Sequence, residues 1–141
     1  MDYEQAAALN AAIRTVGIRH RALAGTLLAP LGLHPGQEIL LLELAAEGPR
    51  TQGQLAIAGN CEPPTITNSV RKLESAGLVL RRQSPTDARV TIVELTDRGR
   101  ALIPDLKRAW HQLAEQTVAR TTTPLGELTA TVTELAASLA R

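Results

Sequence analysis

The two ends of this chain carry apolar seams that are longer than one small core can bury. In residues 3–29 the seam positions recur in steps of three and four, at Ala6, Leu9, Ile13, Val16, His20, Leu23 and Leu27. This is the period of an amphipathic helix, and a helix of that length is about 40 Å long. A second seam lies near the C-terminus, at Leu125, Leu128, Val132, Leu135 and Leu139. We therefore predict that the end segments pack against each other and against a second copy of the chain.

The middle of the chain predicts a helix, a tight turn and a second helix. Thr51–Gln54 has the spacing of a capping box, which starts a short helix. Gly59-Asn60 tolerates the positive φ of a tight turn. Pro63-Pro64 presets φ for the start of the next helix, and Gly77 ends it. An earlier helix, apolar on all sides and therefore buried, is predicted to begin at Pro35.

The second of these helices has a polar and basic face. Ile66, Val70 and Leu73 share the apolar face, and the positions available to a ligand are Pro64, Thr65, Thr67, Asn68, Arg71 and Lys72. A solvated surface is the plain interpretation of such a face. Its position on the second helix of a helix-turn-helix favours insertion into the major groove of DNA. There Arg71 suits guanine and Asn68 suits adenine.

Two runs rich in β-branched residues follow, at residues 78–82 and 89–95, and predict a hairpin with a protruding loop.

Positive charge is concentrated in the middle third of the chain. Residues 50–100 carry a net charge of +3, whereas residues 1–49 carry −2, residues 101–141 are neutral and the whole chain carries +1. Thirteen of the fifteen basic residues are Arg, which suits phosphate and base edges. The basic middle third is therefore the expected partner of nucleic acid.

Several classes of site are not expected. Aromatic residues make up 1% of the chain, too few for an aromatic cage or a stacking platform. Cys61 is the single cysteine, which excludes an intrachain disulfide framework and a multi-cysteine metal site. His20, His34 and His111 lack close metal-ligand spacing, and no nucleophile–base pattern is present. We expect neither an enzyme nor a bound metal or cofactor.

The sequence also predicts where the protein works. No apolar run approaches the roughly 18 residues that cross a membrane. The first residues, Met1-Asp2-Tyr3-Glu4-Gln5, are acidic and lack the basic start of a signal peptide. We expect a cytoplasmic protein without a membrane partner.

The order of these elements, and the stretch from Leu31 to Leu102, resembles the MarR family of bacterial transcriptional regulators. Residues 33–37, Leu-His-Pro-Gly-Gln, resemble the opening of the family's second helix. Residues 62–79 resemble its recognition helix and the exit from it into the wing. Asp87-Ala88-Arg89, followed by Leu-Thr-Asp-Arg-Gly at residues 95–99, matches its wing signature.

The resemblance implies a mainly α fold with a small β-hairpin wing. It places the dimerisation helices in residues 1–32 and 97–141 and the winged helix-turn-helix lobe in residues 33–96. It implies a homodimer that binds a pseudo-palindromic operator in double-stranded DNA, with repression as the expected outcome. In the wing, Arg89 is expected to enter the minor groove while Asp87 orients its guanidinium. The other expected DNA contacts are Arg82 in the wing and, for the backbone, Thr51 and Gln52.

Many members of the family release DNA when they bind a small, often anionic aromatic ligand, or when a cysteine is oxidised. The candidate set for an anion at the junction of lobe and dimer helices is Arg14, Arg19, His20 and His34. For His20 the first interpretation is a core histidine, and the ligand role is the alternative. Cys61 lacks a resolving cysteine in the chain and also suits a small turn residue, so the ligand route is favoured. The alternative function is a dimeric interaction module that has lost DNA binding.

Overall fold

The computed structural model describes residues 1–140. Six α-helices are present in this range: α1 (Tyr3–Leu28), α2 (Gln37–Glu47), α3 (Gln52–Ala58), α4 (Pro63–Ser75), α5 (Asp97–Val118) and α6 (Leu125–Ser138). The strands are β1 (Arg50–Thr51), β2 (Val79–Gln83) and β3 (Thr91–Leu95). A 3₁₀ turn, Ala29–Leu31, follows α1. The structure confirms the predicted mainly α fold with a small wing.

The sheet contains one strand that the sequence pattern did not predict. Its order is β1-β3-β2, and both pairings are antiparallel. The predicted hairpin is β2 and β3, in which Val79 lies opposite Leu95 and Gln83 opposite Thr91. The additional strand, β1, pairs Arg50 with Val93 and Thr51 with Ile92. Two residues are too few to show the alternation that identifies a strand, so only the tertiary pairing reveals it.

Aliphatic side chains from the central elements form one core. Leu41 of α2, Leu55 of α3 and Val70 of α4 are fully buried. Leu106 of α5 and Leu28 of α1 belong to the same cluster. Helices α1 and α5 are therefore anchored in the core of the middle segment, which fixes the position of α4 relative to them.

The starts of two helices show which local predictions hold. The capping box of α3 is present: Gln54 N–H donates to Thr51 Oγ1 at 3.1 Å, and Thr51 N–H donates to Gln54 Oε1 at 2.9 Å. The prediction that Pro35 begins α2 is wrong, because α2 begins at Gln37. Gly36 lies between them with φ of 101°, which is incompatible with a helix. The side chain of Gln37 instead accepts a hydrogen bond from the His34 N–H at 2.8 Å.

The apolar seams of the end helices are exposed in the single chain. Within α1 only Ala24 and Leu28 are buried, and in α6 no residue is buried. Large apolar side chains left in solvent along the two seams are Leu9, Ile13, Val16, Leu125, Val132, Leu135 and Leu139. No helix in residues 1–140 combines the length and the apolarity that a membrane crossing requires.

Candidate nucleic-acid interface

Helix α4 presents a polar face because its apolar face is held in the core. Ile66, Val70 and Leu73 are buried, and the exposed positions are Pro64, Thr65, Asn68, Arg71 and Lys72. Thr67, which was also predicted for this face, is half-buried. Its hydroxyl donates to the Pro63 carbonyl oxygen at 3.0 Å and lies 3.4 Å from Gln52 Oε1. The structure thus places Gln52 of α3 beside α4.

The exposed face of α4 has two flanks. At 100° per residue, Thr65, Ser69 and Lys72 lie on one flank, whereas Arg71 and Glu74 lie on the other. Glu74 accepts hydrogen bonds from Arg81 of β2, with Nε 3.2 Å from each carboxylate oxygen. These hydrogen bonds and the positive charge of Arg81 hold the pKa of Glu74 below its ordinary value.

Arg81 therefore joins the end of α4 to the wing. The sequence pattern does not predict this role for Arg81. The two residues lie seven positions apart across a turn, so only the tertiary structure shows that they meet.

The tip of the wing holds one arginine in a defined orientation. Arg89 has a side chain that is 91% exposed, yet its Nε lies 3.2 Å and its terminal nitrogen 3.3 Å from the two carboxylate oxygens of Asp87. The Arg89 backbone N–H also donates to Asp87 at 3.0 Å. These hydrogen bonds lower the pKa of the Asp87 carboxyl. The predicted pairing of Asp87 with Arg89 is present in the structure.

The other predicted contacts are partly occupied within the protein. Arg82 Nε lies 3.6 Å from a Glu94 carboxylate oxygen across the hairpin. The Thr51 hydroxyl caps α3, so this half-buried side chain also stabilises the start of the helix. Arg71 has no ion pair within 4.0 Å in the part of the chain that the structure describes. Its guanidinium is therefore available to an external acceptor.

The four residues proposed for an anionic ligand do not share one cavity. Arg19 and His20 line a cleft of about 280 Å³ between α1 and α5. Its apolar wall includes Val16 and Leu23. His34 lies in a different cleft, beside α4, and Arg14 lines neither of the two. The structure thus brings Arg19 and His20 together and leaves Arg14 and His34 apart from them.

Cys61 lies in the turn between α3 and α4 and is half-buried. It packs against the hydrophobic core, and its Sγ is 3.3 Å from the position of a Cβ built on Gly59. The thiol therefore sits in a close-packed turn.

The sequence of the middle segment matches a family model. Residues 33–91 match the model of the MarR family. The transcriptional repressor Rv2887 of Mycobacterium tuberculosis is 31% identical over 109 residues, which are 77% of this chain and 78% of that protein. The chain belongs to the MarR family of transcriptional regulators. Members of this family are not enzymes, so the expectation that this chain is not an enzyme is confirmed.

Solved structures show the same fold along nearly the whole chain. A probable transcriptional regulator from Pseudomonas aeruginosa has a TM-score of 0.79 at 30% identity, covering 94% of this chain and 96% of that one. A mutant MarR from E. coli, complexed with operator DNA, has a TM-score of 0.84 at 21% identity and covers 99% and 100%. Bordetella bronchiseptica BpsR, whose DNA binding is regulated by 6-hydroxynicotinic acid, has a TM-score of 0.80 at 22% identity and covers 94% and 98%.

The similarity to the first curated relatives is shorter. This chain spans 60% of the length of one and 54% of the length of the next two.

Proposed function

We propose that this protein is a transcriptional regulator, acting as a repressor, that binds a specific operator in double-stranded DNA in the cytoplasm. The observation that carries the proposal is the combination of an exposed, basic face on α4 with an exposed Arg89 on the wing that Asp87 orients. In this proposal Asn68 and Arg71 read base edges in the major groove. Arg89 enters the minor groove beside it, and Arg82, Lys72, Thr51 and Gln52 face the backbone.

We propose further that the active form is a homodimer. Residues 1–32 and 97–141 supply the dimer interface in this proposal, and residues 33–96 form the DNA-binding lobe. The exposed seam of α6 supports the interface, because a helix without buried residues lacks the packing that stabilises helices in proteins. Two recognition helices related by a two-fold axis enter successive major grooves about 34 Å apart. The operator is then a pseudo-palindrome.

The test is a fluorescence anisotropy titration with DNA from upstream of the protein's own gene, followed by footprinting. We expect a protected pseudo-palindrome and much tighter binding to it than to scrambled DNA of the same composition. Micromolar binding that is indifferent to sequence at physiological salt would contradict the proposal. It would favour the interaction module of the same fold.

We also propose that a small anionic ligand releases the protein from DNA. The cleft between α1 and α5 supports this proposal, since it combines apolar walls with the cationic Arg19 and the titratable His20. Regulation of BpsR by an aromatic acid is consistent with it. Such a ligand acts only through a preference for the lobe arrangement that does not fit DNA. A tenfold loss of DNA affinity requires a coupling free energy of about 1.4 kcal/mol.

Two series of measurements separate ligand release from oxidation. A panel of aromatic acids is added to the operator complex of the wild type and of Arg19→Gln. We expect an acid to release wild-type protein and to act more weakly on the variant. Peroxide is added in parallel to wild type and to Cys61→Ser. Release by peroxide that Cys61→Ser abolishes, without a response to any acid, would overturn the ligand proposal.

A further inference from the structure

A second cleft borders the recognition helix. It has a volume of about 480 Å³ and lies between α1, the residues that precede α2 and one flank of α4. Arg21 lines it from α1, His34 from the segment before α2, and Lys72 from α4. Thr65 and Asn68 of the proposed DNA-reading face line the same cleft. Neither Arg21 nor the position of His34 beside α4 was part of the predicted DNA interface.

The electrostatics of this cleft favour an anion. Its lining contains Arg21, Lys72 and His34 but, within residues 1–140, neither Asp nor Glu. In that same range neither Arg21 nor Lys72 has a carboxylate within 4.0 Å. Both side chains are exposed. Two cations that share a cleft without internal counter-charge attract an external anion.

The position of the cleft indicates which anion reaches it. The major groove of DNA is about 12 Å wide and takes a single helix, so sugar-phosphate strands run along both flanks of an inserted helix. Arg71 lies on the flank of α4 that faces the wing, where Glu74 contacts Arg81. The cleft lies on the opposite flank, with Thr65, Ser69 and Lys72. If α4 lies in the major groove, the backbone strand on that side is therefore the anion nearest to the cleft.

We propose that Arg21, together with Lys72 and His34, binds a phosphate of the DNA backbone at the flank of α4 that faces away from the wing. This inference rests on the proposed DNA-binding function. It extends the DNA contact surface from the lobe to α1, a helix of the proposed dimer interface. Because Arg21 lies on α1, its contact with the backbone depends on the orientation of the lobe relative to α1. A phosphate contact carries no sequence information, so Arg21 contributes to affinity on every sequence and not to base selection.

The test compares the salt dependence of binding for wild type, Arg21→Gln and Arg21→Lys. Each lost phosphate contact lowers the slope of log affinity on log salt by about 0.9. We expect Arg21→Gln to lower the slope by about that amount per protomer, on operator and on scrambled DNA alike. Arg21→Lys is expected to restore most of it. Lys107→Gln, on the exposed surface of α5, is the matched control that removes one positive charge elsewhere.

A second measurement locates the phosphate. Single phosphates of the operator are replaced by neutral methylphosphonate, and one such position is expected to weaken the wild type while leaving Arg21→Gln unaffected. Inorganic phosphate alone is titrated in parallel and followed by the ring resonances of His34. Two results together would contradict the proposal: saturable binding of inorganic phosphate that requires Arg21, and unchanged DNA binding by Arg21→Gln. They would show that the cleft binds free phosphate and not a phosphate of the DNA backbone.

The experiments distinguish failure of the proposed DNA-binding function from failure of the proposed phosphate site. If the wild type prefers no operator, the proposed function fails. If the wild type binds its operator and Arg21→Gln keeps the wild-type salt slope and phosphate pattern, the phosphate site alone is wrong.

Discussion

At the scale of single residues, the orientation of Arg89 in the wing is set by an ion pair with Asp87, and the net charge of the pair is zero. Asp87 holds the guanidinium of Arg89 through two side-chain contacts and one backbone contact. A free arginine at a loop tip samples many rotamers, and fixing it costs entropy when DNA binds. In the proposed complex, Asp87 reduces that cost because it restricts Arg89 before DNA binds.

The first prediction concerns Arg89 itself. Arg89→Ala is expected to weaken binding to every DNA sequence and to lower the salt slope by about 0.9 per protomer, because one positive charge that contacts the DNA is lost. If Arg89 selects narrow A·T grooves, the loss will be largest on those sequences. Salt-dependent anisotropy titrations measure both effects. Lys107→Ala serves as the charge-matched control, and equal losses in the two variants would contradict the assignment.

The second prediction separates orientation from charge. Asp87→Ala makes the protein more positive, so simple attraction to DNA predicts tighter binding. We expect weaker binding instead, by up to about fivefold, because Arg89 loses its orienting partner. The folded-state pKa of Asp87 lies below its ordinary value of 3.8, so the pair persists above that pH and is lost only in acid. The difference between wild type and variant is therefore expected to be constant from pH 6 to pH 8.

At the scale of elements, close packing fixes how α5 meets the exit from α4. The Thr96 hydroxyl donates to the Gly77 carbonyl oxygen at 2.6 Å and accepts from the Gly99 N–H at 3.0 Å. A Cβ on Gly99 would lie 2.1 Å from the Leu78 carbonyl oxygen. The Leu-Thr-Asp-Arg-Gly segment of the wing signature thus includes a glycine for a steric reason: the start of α5 touches the backbone that precedes β2.

The third prediction follows from this contact. Gly99→Ala is expected to lower the free energy of unfolding by about 1–3 kcal/mol, because backbone has to move to admit the methyl group. In Gly53→Ala the new Cβ would meet only Thr51 Oγ1, at 3.8 Å. That control is expected to be as stable as wild type or slightly more stable. Urea denaturation at one fixed protein concentration compares the two, and equal effects would contradict the steric account.

The fourth prediction concerns the reading face of α4. Asn68→Ala or Arg71→Ala is expected to relax sequence preference at a few operator positions, by about 1–3 kcal/mol for each bidentate contact. Binding to scrambled DNA should change much less than it does for Arg89→Ala. Affinities for a set of single-base operator variants provide the measurement. Uniform weakening on all sequences by both substitutions would show that α4 does not read bases.

At the scale of the whole molecule, the exposed seams of α1 and α6 imply that one chain is incomplete by itself. Leu125, Val132 and Leu139 are each more than half exposed. Burial of such side chains contributes roughly 25 cal/mol per Å². In the proposed homodimer, a second copy supplies that burial and also sets the distance between the two copies of α4. In that homodimer, the geometry of the interface determines the spacing of the two operator half-sites.

The fifth prediction tests this interface. Leu135→Lys places a charge in the seam of α6 and is expected to shift the protein toward monomers, since an unpaired buried charge is strongly unfavourable. Ala130→Lys, on the opposite face of the same helix, is expected to remain dimeric. Sedimentation velocity over a range of concentrations distinguishes the two. A dimer of unchanged stability in Leu135→Lys would exclude α6 from the interface.

The sequence by itself determined the helices, the capping box at Thr51, the hairpin and the polar face of α4. These features depend on periodicity, caps and turns, which act between residues close together in the chain. It placed Asp87 beside Arg89 for the same reason. Pro35 shows the limit of such rules, since the positive φ of Gly36 separates it from α2.

Only the tertiary structure decided which distant side chains meet. It revealed β1, the Glu74–Arg81 pair and the approach of Gly99 to Leu78. It also separated His34 from Arg19 and His20 and placed it with Arg21 beside α4. These contacts join elements whose relative position is set by packing of the common core. Packing depends on the shapes of many side chains at once, which no local pattern in the sequence encodes.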